Sequence, residues 1–291
     1  MPKSVSIIGS GTVGTAVGHL LKSKGYDIKG VAARQLDHAE SAVSFIGAGS
    51  AGTDTVEAAS GADWVLITTP DKSIREACET IAAGGGFKKG ALVVHFSGAL
   101  SSEELKSAAR LGARVISLHP IQSLASVEQA VKNLPGSYFS MEGDPAAADE
   151  GREIVEALGG KLVVIPTDKK SLYHAGAAIA SNYLVSVVDL AVSVFENLGM
   201  ERDDALRAIF PLIQGTVNNI EKVGVPDALT GPIARGDVGT VQGHIEALLY
   251  TMPDRLELYK QLGAYTVKVG REKGSLREED AERLLQILKK D

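Results

Sequence analysis

Short apolar runs alternate with helical repeats along the first half of the chain, and the pattern changes abruptly at Pro166. The first run, residues 5–8 (VSII), stops at Gly9-Ser10-Gly11-Thr12-Val13-Gly14. Val13, Val17, Leu20 and Leu21 then recur at helical spacing. Further strands are expected at 26–33 (YDIKGVAA), near 52–54, and at 62–68 (ADWVLIT), 91–95 (ALVVH), 114–119 (RVISLH), 137–141 (SYFSM) and 161–165 (KLVVI). The run 62–68 has no polar alternation, as for a strand covered on both faces. Helical patterns fall between these runs, at 36–47, 72–83, after Ser101 or Ser102, and at 145–158. Such alternation predicts a doubly wound sheet. Beyond Pro166 a helix capped by Thr167 or Asp168 should run to Asn197, where Gly199 stops it. Roughly thirty residues at 1.5 Å each span about 45 Å. More helices follow at 203–223, with Pro211 inside, at 238–249 after Asp237, at 254–270 and at 278–290. The expected fold is α/β: an N-terminal doubly wound Rossmann domain, residues 1–166, followed by an all-α helical domain, 167–291.

The long helix is apolar on most sides. Asn182, Ser186, Asp189 and Ser193 nevertheless form one polar stripe, and Asp189 would be costly in lipid. A buried bundle helix is the better expectation. Its apolar surface exceeds what one small bundle covers, so a homodimer through this helix is expected. A net charge of −6 excludes a basic footprint for nucleic acid or an anionic membrane. The single cysteine, Cys78, rules out a disulfide framework and a cysteine zinc cluster, and reads as a core residue. No metal site is expected. The first apolar run is too short for a signal peptide, so a cytoplasmic location is expected.

The opening strand, turn and helix carry the first chemistry. Gly9 can make the sharp turn, Gly11 lets the backbone approach a pyrophosphate, and Gly14 lets the helix lie close on the strand. The helix start, with Ser10, Thr12 and Val13, would face the phosphates. At the end of the second strand no carboxylate stands before Asp37, whereas Arg34 could hold a 2′-phosphate. NADP(H) is therefore the expected cofactor. Thr68, Thr69 and Pro70 end a central strand and should lie beside ribose and nicotinamide. Asp71 is expected as a helix N-cap.

Two consecutive strands end in His95-Phe96-Ser97-Gly98 and His119-Pro120-Ile121-Gln122. Both should open on the same crevice. Ser97 and Gln122 could bind a small polar substrate or the nicotinamide carboxamide, and each histidine is either a substrate contact or a structural group. Met141-Glu142-Gly143-Asp144-Pro145 reads as a turn and helix start. At 100° per residue Lys170, His174 and Ser181 share a face of the long helix, with Asn182 about 80° from His174. His174 could donate a proton near neutral pH; the bland alternative is a polar cap on a core helix. Thr230 and Arg235, on a loop with Gly231 and Pro232, suit carboxylate binding, unless Arg235 merely pairs with an acid.

IIGSGTVG, VLITTPD, HFSGA, SLHPIQS, YHAGAAIASNYL and LTGPIARGD together resemble a bacterial family. It combines a Rossmann-like NADP-binding domain with a C-terminal domain of unknown function, number 2520. That family is similar in layout to ketopantoate reductase, pyrroline-carboxylate reductase and 6-phosphogluconate dehydrogenase. The resemblance implies hydride transfer from NADPH to a small carbonyl or imine bearing a carboxylate. Ketopantoate is the first candidate, and a pyrroline-carboxylate-like imine the alternative. The 6-phosphogluconate and ketopantoate enzymes carry Lys-x-x-x-Asn on the long helix. Here Asn182 matches, but Ala178 stands where the lysine would be. Either His174 or Lys170 replaces that acid, with Asn182 orienting the oxygen and Arg235 holding the carboxylate. Otherwise the protein is a non-catalytic NADP-binding sensor.

Overall fold

The computed structural model describes residues 2–289. Eight strands form one sheet: β1 (Ser4–Ile8), β2 (Asp27–Ala32), β3 (Ser50–Gly52), β4 (Trp64–Ile67), β5 (Leu92–His95), β6 (Arg114–Pro120), β7 (Tyr138–Gly143) and β8 (Lys161–Val164). Their order is β3-β2-β1-β4-β5-β6-β7-β8. All neighbours are parallel except β6 and β7, which run antiparallel. The order reverses between β1 and β4, and a sheet of this kind binds ligands at the carboxyl ends of the strands there. β4 and β5 are buried at every residue, as their unbroken apolar runs require.

The helices around this sheet are α1 (Thr12–Ser23), α2 (Leu36–Ile46), α3 (Thr55–Ala59), α4 (Asp71–Ala83), α5 (Lys106–Arg110), α6 (Val127–Asn133) and α7 (Ala148–Ala157). Two apolar clusters hold them to it. One places Val17 and Leu21 of α1 with Leu66, Val94 and Ile154; the other places Ile74, Cys78 and Ile81 of α4 with Val65, Ile67 and Val93. Cys78 is a core residue, as expected. The segments forming α3 and α6 had no apolar period long enough to announce them. Each is nucleated by a side-chain cap: Asp54 accepts from Val56 N and Glu57 N, and Ser126 from Gln129 N.

After β8 the chain is helical: α8 (Lys170–Ala178), α9 (Leu184–Asn197), α10 (Arg202–Val223), α11 (Val225–Ala228), α12 (Val238–Thr251), α13 (Pro253–Lys273) and α14 (Glu278–Lys289). A 3₁₀ turn, α8, a π turn (Ile179–Tyr183) and α9 make the single long helix Thr167–Asn197. It ends at Gly199, whose φ is +91°. The chain divides into two compact units, residues 1–181 and 182–291, and the division falls inside this helix. Within the second unit, Val241, Val267, Ala281, Leu284 and Leu288 pack α12, α13 and α14 together. Val192 of α9 packs with Ala205 and Ile209 of α10.

Within the single chain the long helix is largely exposed, where its apolarity predicts a bundle element buried in part by a partner subunit. By length and composition it could cross a membrane, and only 6% of its most apolar window is buried. Ile179, Tyr183 and Val185 are each about 60–70% exposed. Its polar stripe is used within the second unit, where Asp189 pairs with Arg202, which also bonds Glu196 at 3.0 Å.

Candidate active site

Gly9 has φ +110°, and a Cβ there would sit 2.7 Å from the Thr68–Thr69 backbone. A Cβ on Gly14 would overlap the Gly9 carbonyl and the Thr68 hydroxyl, so the first turn of α1 touches the end of β4. Gly11 has open space around it. Two of the three glycines thus close the turn onto the strand, and the third leaves the backbone approachable. Gly11 is also the N-cap of α1 and supplies no side-chain cap, so the first N–H groups of that helix remain available.

These residues border a cavity of about 980 Å³. Gly9, Ser10, Gly11, Thr12 and Val13 line one wall, Arg34, Gln35 and His38 another, and Thr68, Thr69 and Pro70 a third. Thr69 Oγ1 is buried without a hydrogen-bond partner. A dinucleotide fits this site on three counts: its size, the uncapped helix start, and an orphaned hydroxyl at the expected nicotinamide end. Asp71 departs from its expected role. Pro70 is the N-cap, and Asp71 is the first helical residue.

Past Thr69 and Pro70, β5 and β6 deliver a second set of groups within the first unit. His95, the last residue of β5, is fully buried. Its Nε2 donates to Ser101 O at 3.0 Å and its Nδ1 accepts from Ser97 N at 3.1 Å, which sets the tautomer. Burial lowers its pKa. Ser97, expected as a cofactor or substrate ligand, has its hydroxyl engaged by Asp71 and within its own segment. Its hydroxyl donates to Asp71 Oδ2 at 2.8 Å and accepts from Ala99 N and Leu100 N, so it pins its own loop.

His119 Nδ1 lies 2.6 Å from the Tyr173 hydroxyl. Burial, reinforced by the positive charge of Lys170, pushes His119 down to about 4, so it is neutral at physiological pH. Its ring meets that of His174 edge-on, 6.1 Å between centroids. Between the two lies Gly98. A Cβ there would be 2.7 Å from both His119 Nε2 and His174 Nδ1. His174 Nδ1 is buried with no partner.

Lys170 completes the cluster. It is only 2% exposed, and its Nζ donates to Ser117 Oγ at 2.8 Å. Desolvation brings its pKa down to about 8, against the opposing pull of Glu142 and Asp71. Lys170 and His174 are one turn apart and share a face, as their spacing predicts. Ser181 does not join them; it is exposed and lies in the π turn, past which 100° per residue no longer holds. Asn182 is exposed in the same π turn.

Gln122 is not in this cluster. Pro120 ends β6, and Gln122 lies on the surface, bonded to Ser137 Oγ at 3.2 Å, in a separate shallow depression with Asn133 and Tyr138. Thr230 and Arg235 belong to the second unit, both exposed, with Arg235 in a 3₁₀ turn near Asp237. Sequence reading missed Glu142, Tyr173, Ser117 and Gly98. For Gly98 the signal was its place between two strand-end histidines. Glu142 was hidden because MEGDP looks like a turn, yet Glu142 is the fifth residue of β7.

Residues 2–120 match the model of a Rossmann-like domain, and residues 137–266 that of a domain of unknown function, DUF2520. The chain joins a Rossmann-like domain to a DUF2520 domain. Among curated proteins, no sequence matches it. Among solved structures it is similar to protein TM1727 from Thermotoga maritima, at 29% identity and a TM-score of 0.74, over 92% of this chain and 97% of that one. It shares its fold with a pyrroline carboxylate reductase from Plasmodium falciparum with NADP bound (13% identity, TM-score 0.57, 98% of each chain). It also shares it with an imine reductase variant from Myxococcus stipitatus in complex with NAD+ (16% identity, TM-score 0.61, 98% of this chain and 100% of that one).

Proposed function

We propose that this Rossmann–DUF2520 protein is an NADP(H)-dependent oxidoreductase that reduces a small 2-oxo acid, ketopantoate being the first substrate to test. One observation carries the reading: a buried lysine stands among histidines at the carboxyl ends of β5 and β6, next to a cavity fitted for a dinucleotide. When bound, the nicotinamide supplies the hydride. The protein's part is to hold the carbonyl and deliver a proton to its oxygen. Lys170, held near pH 8, is mostly protonated at neutrality and gives up its proton readily, as a general acid must. The face of His119 and His174 over Gly98 offers nitrogen atoms to the same oxygen or to the carboxylate. This supports Lys170, in place of the lysine absent at position 178, as the donor.

The test is NADPH oxidation across a panel of 2-oxo acids and cyclic imines. Turnover of an oxo acid is expected, falling as pH rises through about 8, where Lys170 loses its proton. An imine enters already protonated and needs no such acid, so turnover that survives Lys170→Met would assign the imine instead. No turnover of either class overturns the proposal. Arg34 lines the cavity at the end of β2. Arg34→Ala should weaken NADPH binding roughly ten- to hundredfold, the value of one charge-assisted hydrogen bond to a 2′-phosphate, and leave NADH binding unchanged.

We further infer that a second copy of the chain covers the exposed apolar surface of the helical unit. On the long helix, through which the dimer is expected, Leu184, Val185 and Val187 are exposed, and on α10 Leu206, Phe210, Val217 and Ile220 recur at spacings of four, seven and three and are exposed too. A permanent apolar surface of this kind calls for a permanent partner, most simply an identical chain about a two-fold axis. Sedimentation should give twice the chain mass of 30.4 kDa. Phe210→Lys with Val217→Glu should return the monomer; a monomeric wild type would refute the assignment.

A further inference from the structure

We propose that Glu142 is a positioning residue for Lys170: a buried carboxylate that faces the amine across Ser117 and also ties down the loop carrying Gly98. This rests on the reductase reading above. Glu142 and Ser117 are directly opposed in the antiparallel β6–β7 pair. Opposed residues place their side chains on one face of the sheet, about 5 Å apart at Cβ. Glu142 is 2% exposed, and both its oxygens are occupied: Oε1 accepts from Ser102 N at 2.8 Å and Oε2 from Ser102 Oγ at 2.9 Å. The carboxylate is therefore held in one orientation.

Ser117 Oγ accepts a hydrogen bond from the Lys170 ammonium at 2.8 Å and donates one to Ser97 O at 3.3 Å. The strand end that carries Ser97 and Gly98 is thereby fastened at three points: Ser117, Asp71 and Glu142. The groups facing Lys170 are Glu142 from β7, His95 and His119 from β5 and β6, Asp71 from α4, and Tyr173 and His174 from its own helix. Tyr173 puts its ring 5.5 Å from the amine. Of the two carboxylates only Glu142 is buried, so water screens it least. Without a buried negative charge, the low-dielectric surroundings would drive the proton off this amine, and the acid would be spent at the pH where it has to act.

The experiment is a site-resolved titration of the lysine side-chain signals by NMR on the full chain, with Lys170 assigned through Lys170→Met. Glu142→Gln keeps the shape and one acceptor oxygen but removes the charge. It should lower the Lys170 midpoint by about one pH unit, a tenfold loss of protonated amine above it. The upper limb of kcat/KM should move the same way, with the KM for NADPH unchanged. Glu142→Asp keeps the charge but draws it back by one carbon, should lower the midpoint by less than Glu142→Gln does, and serves if Glu142→Gln does not fold. A Lys170 midpoint that stays in place in the folded variants overturns the proposal, whatever the enzyme turns over. A midpoint that moves in a protein without reductase activity upholds the Glu142–Lys170 coupling and sinks the reaction assigned to it.

Discussion

Lys170→Met is expected to make the protein more stable and, as a carbonyl reductase, inert. The native chain holds the Lys170 amine near pH 8, against an ordinary 10.5, because burial disfavours its charge. The folded state therefore binds this proton less tightly than the unfolded state does. The resulting penalty on folding is fully present below pH 8 and fades as pH rises from about 8 to 10.5. At 1.36 kcal/mol per pH unit the penalty is at most about 3 kcal/mol. A methionine of similar length removes it while filling the same space, and Ser117 keeps Ser97 O as its acceptor. The lowered Lys170 pKa is already net of the attraction of Glu142, whose oxygens keep their Ser102 donors, so at pH 7 the variant should gain about 1–3 kcal/mol, seen as a rise in thermal midpoint of about 2–4 °C per kcal/mol. The gain should vanish by about pH 10.5, where the wild-type lysine is neutral in both states. Reduction of a 2-oxo acid should fall about 10²- to 10⁴-fold, the usual worth of a general acid, with NADPH binding retained. Calorimetry at pH 7 and 10 and single-turnover kinetics check both halves. Loss of stability at pH 7 would mean that Lys170 is a structural ion and not a strained functional one.

Gly98→Ala should abolish most of the activity at modest cost in stability. The added methyl group would lie 2.7 Å from His119 Nε2 and His174 Nδ1, closer than side chains tolerate. The imidazoles, and not the backbone, must give way. His119 is held by Tyr173 and cannot turn freely. Overpacking of this sort costs about 1–3 kcal/mol. The catalytic cost is larger, because a displacement of about 1 Å at a reacting group can cost about 10²-fold. Titration with NADPH should show unaltered binding, since Gly98 lies outside the cavity wall. Normal kcat/KM in Gly98→Ala would remove the two histidines from the reaction.

The sheet was legible because its signals are local. A glycine turn between an apolar run and a helical repeat has one common structural outcome, and 62–68 and 91–95 are apolar enough to be strands only in a sheet's interior. The end of the long helix was legible for the same reason: Gly199 adopts a φ that other residues avoid. The π turn at 179–183 was not, since nothing in Ile179-Ala180-Ser181-Asn182-Tyr183 departs from good helical sequence. That turn voided the angular placement of Ser181 and Asn182.

The site divides along the same line. Residue type and spacing determined that Gly9, Gly11 and Gly14 would fold a strand onto a helix, that Arg34 would follow the second strand, and that Lys170 and His174 would share a face. Only the tertiary structure decided that Lys170 is buried beside Ser117, that Ser97 is consumed in pinning its own loop, that Gln122 turns away after Pro120, and that Glu142 belongs to a strand. The reason is physical. Backbone preference and amphipathic period act over a few residues and can be read along the chain. Desolvation and charge depend on which strands become neighbours, and the antiparallel β6–β7 register that sets Glu142 against Ser117 joins residues 25 positions apart.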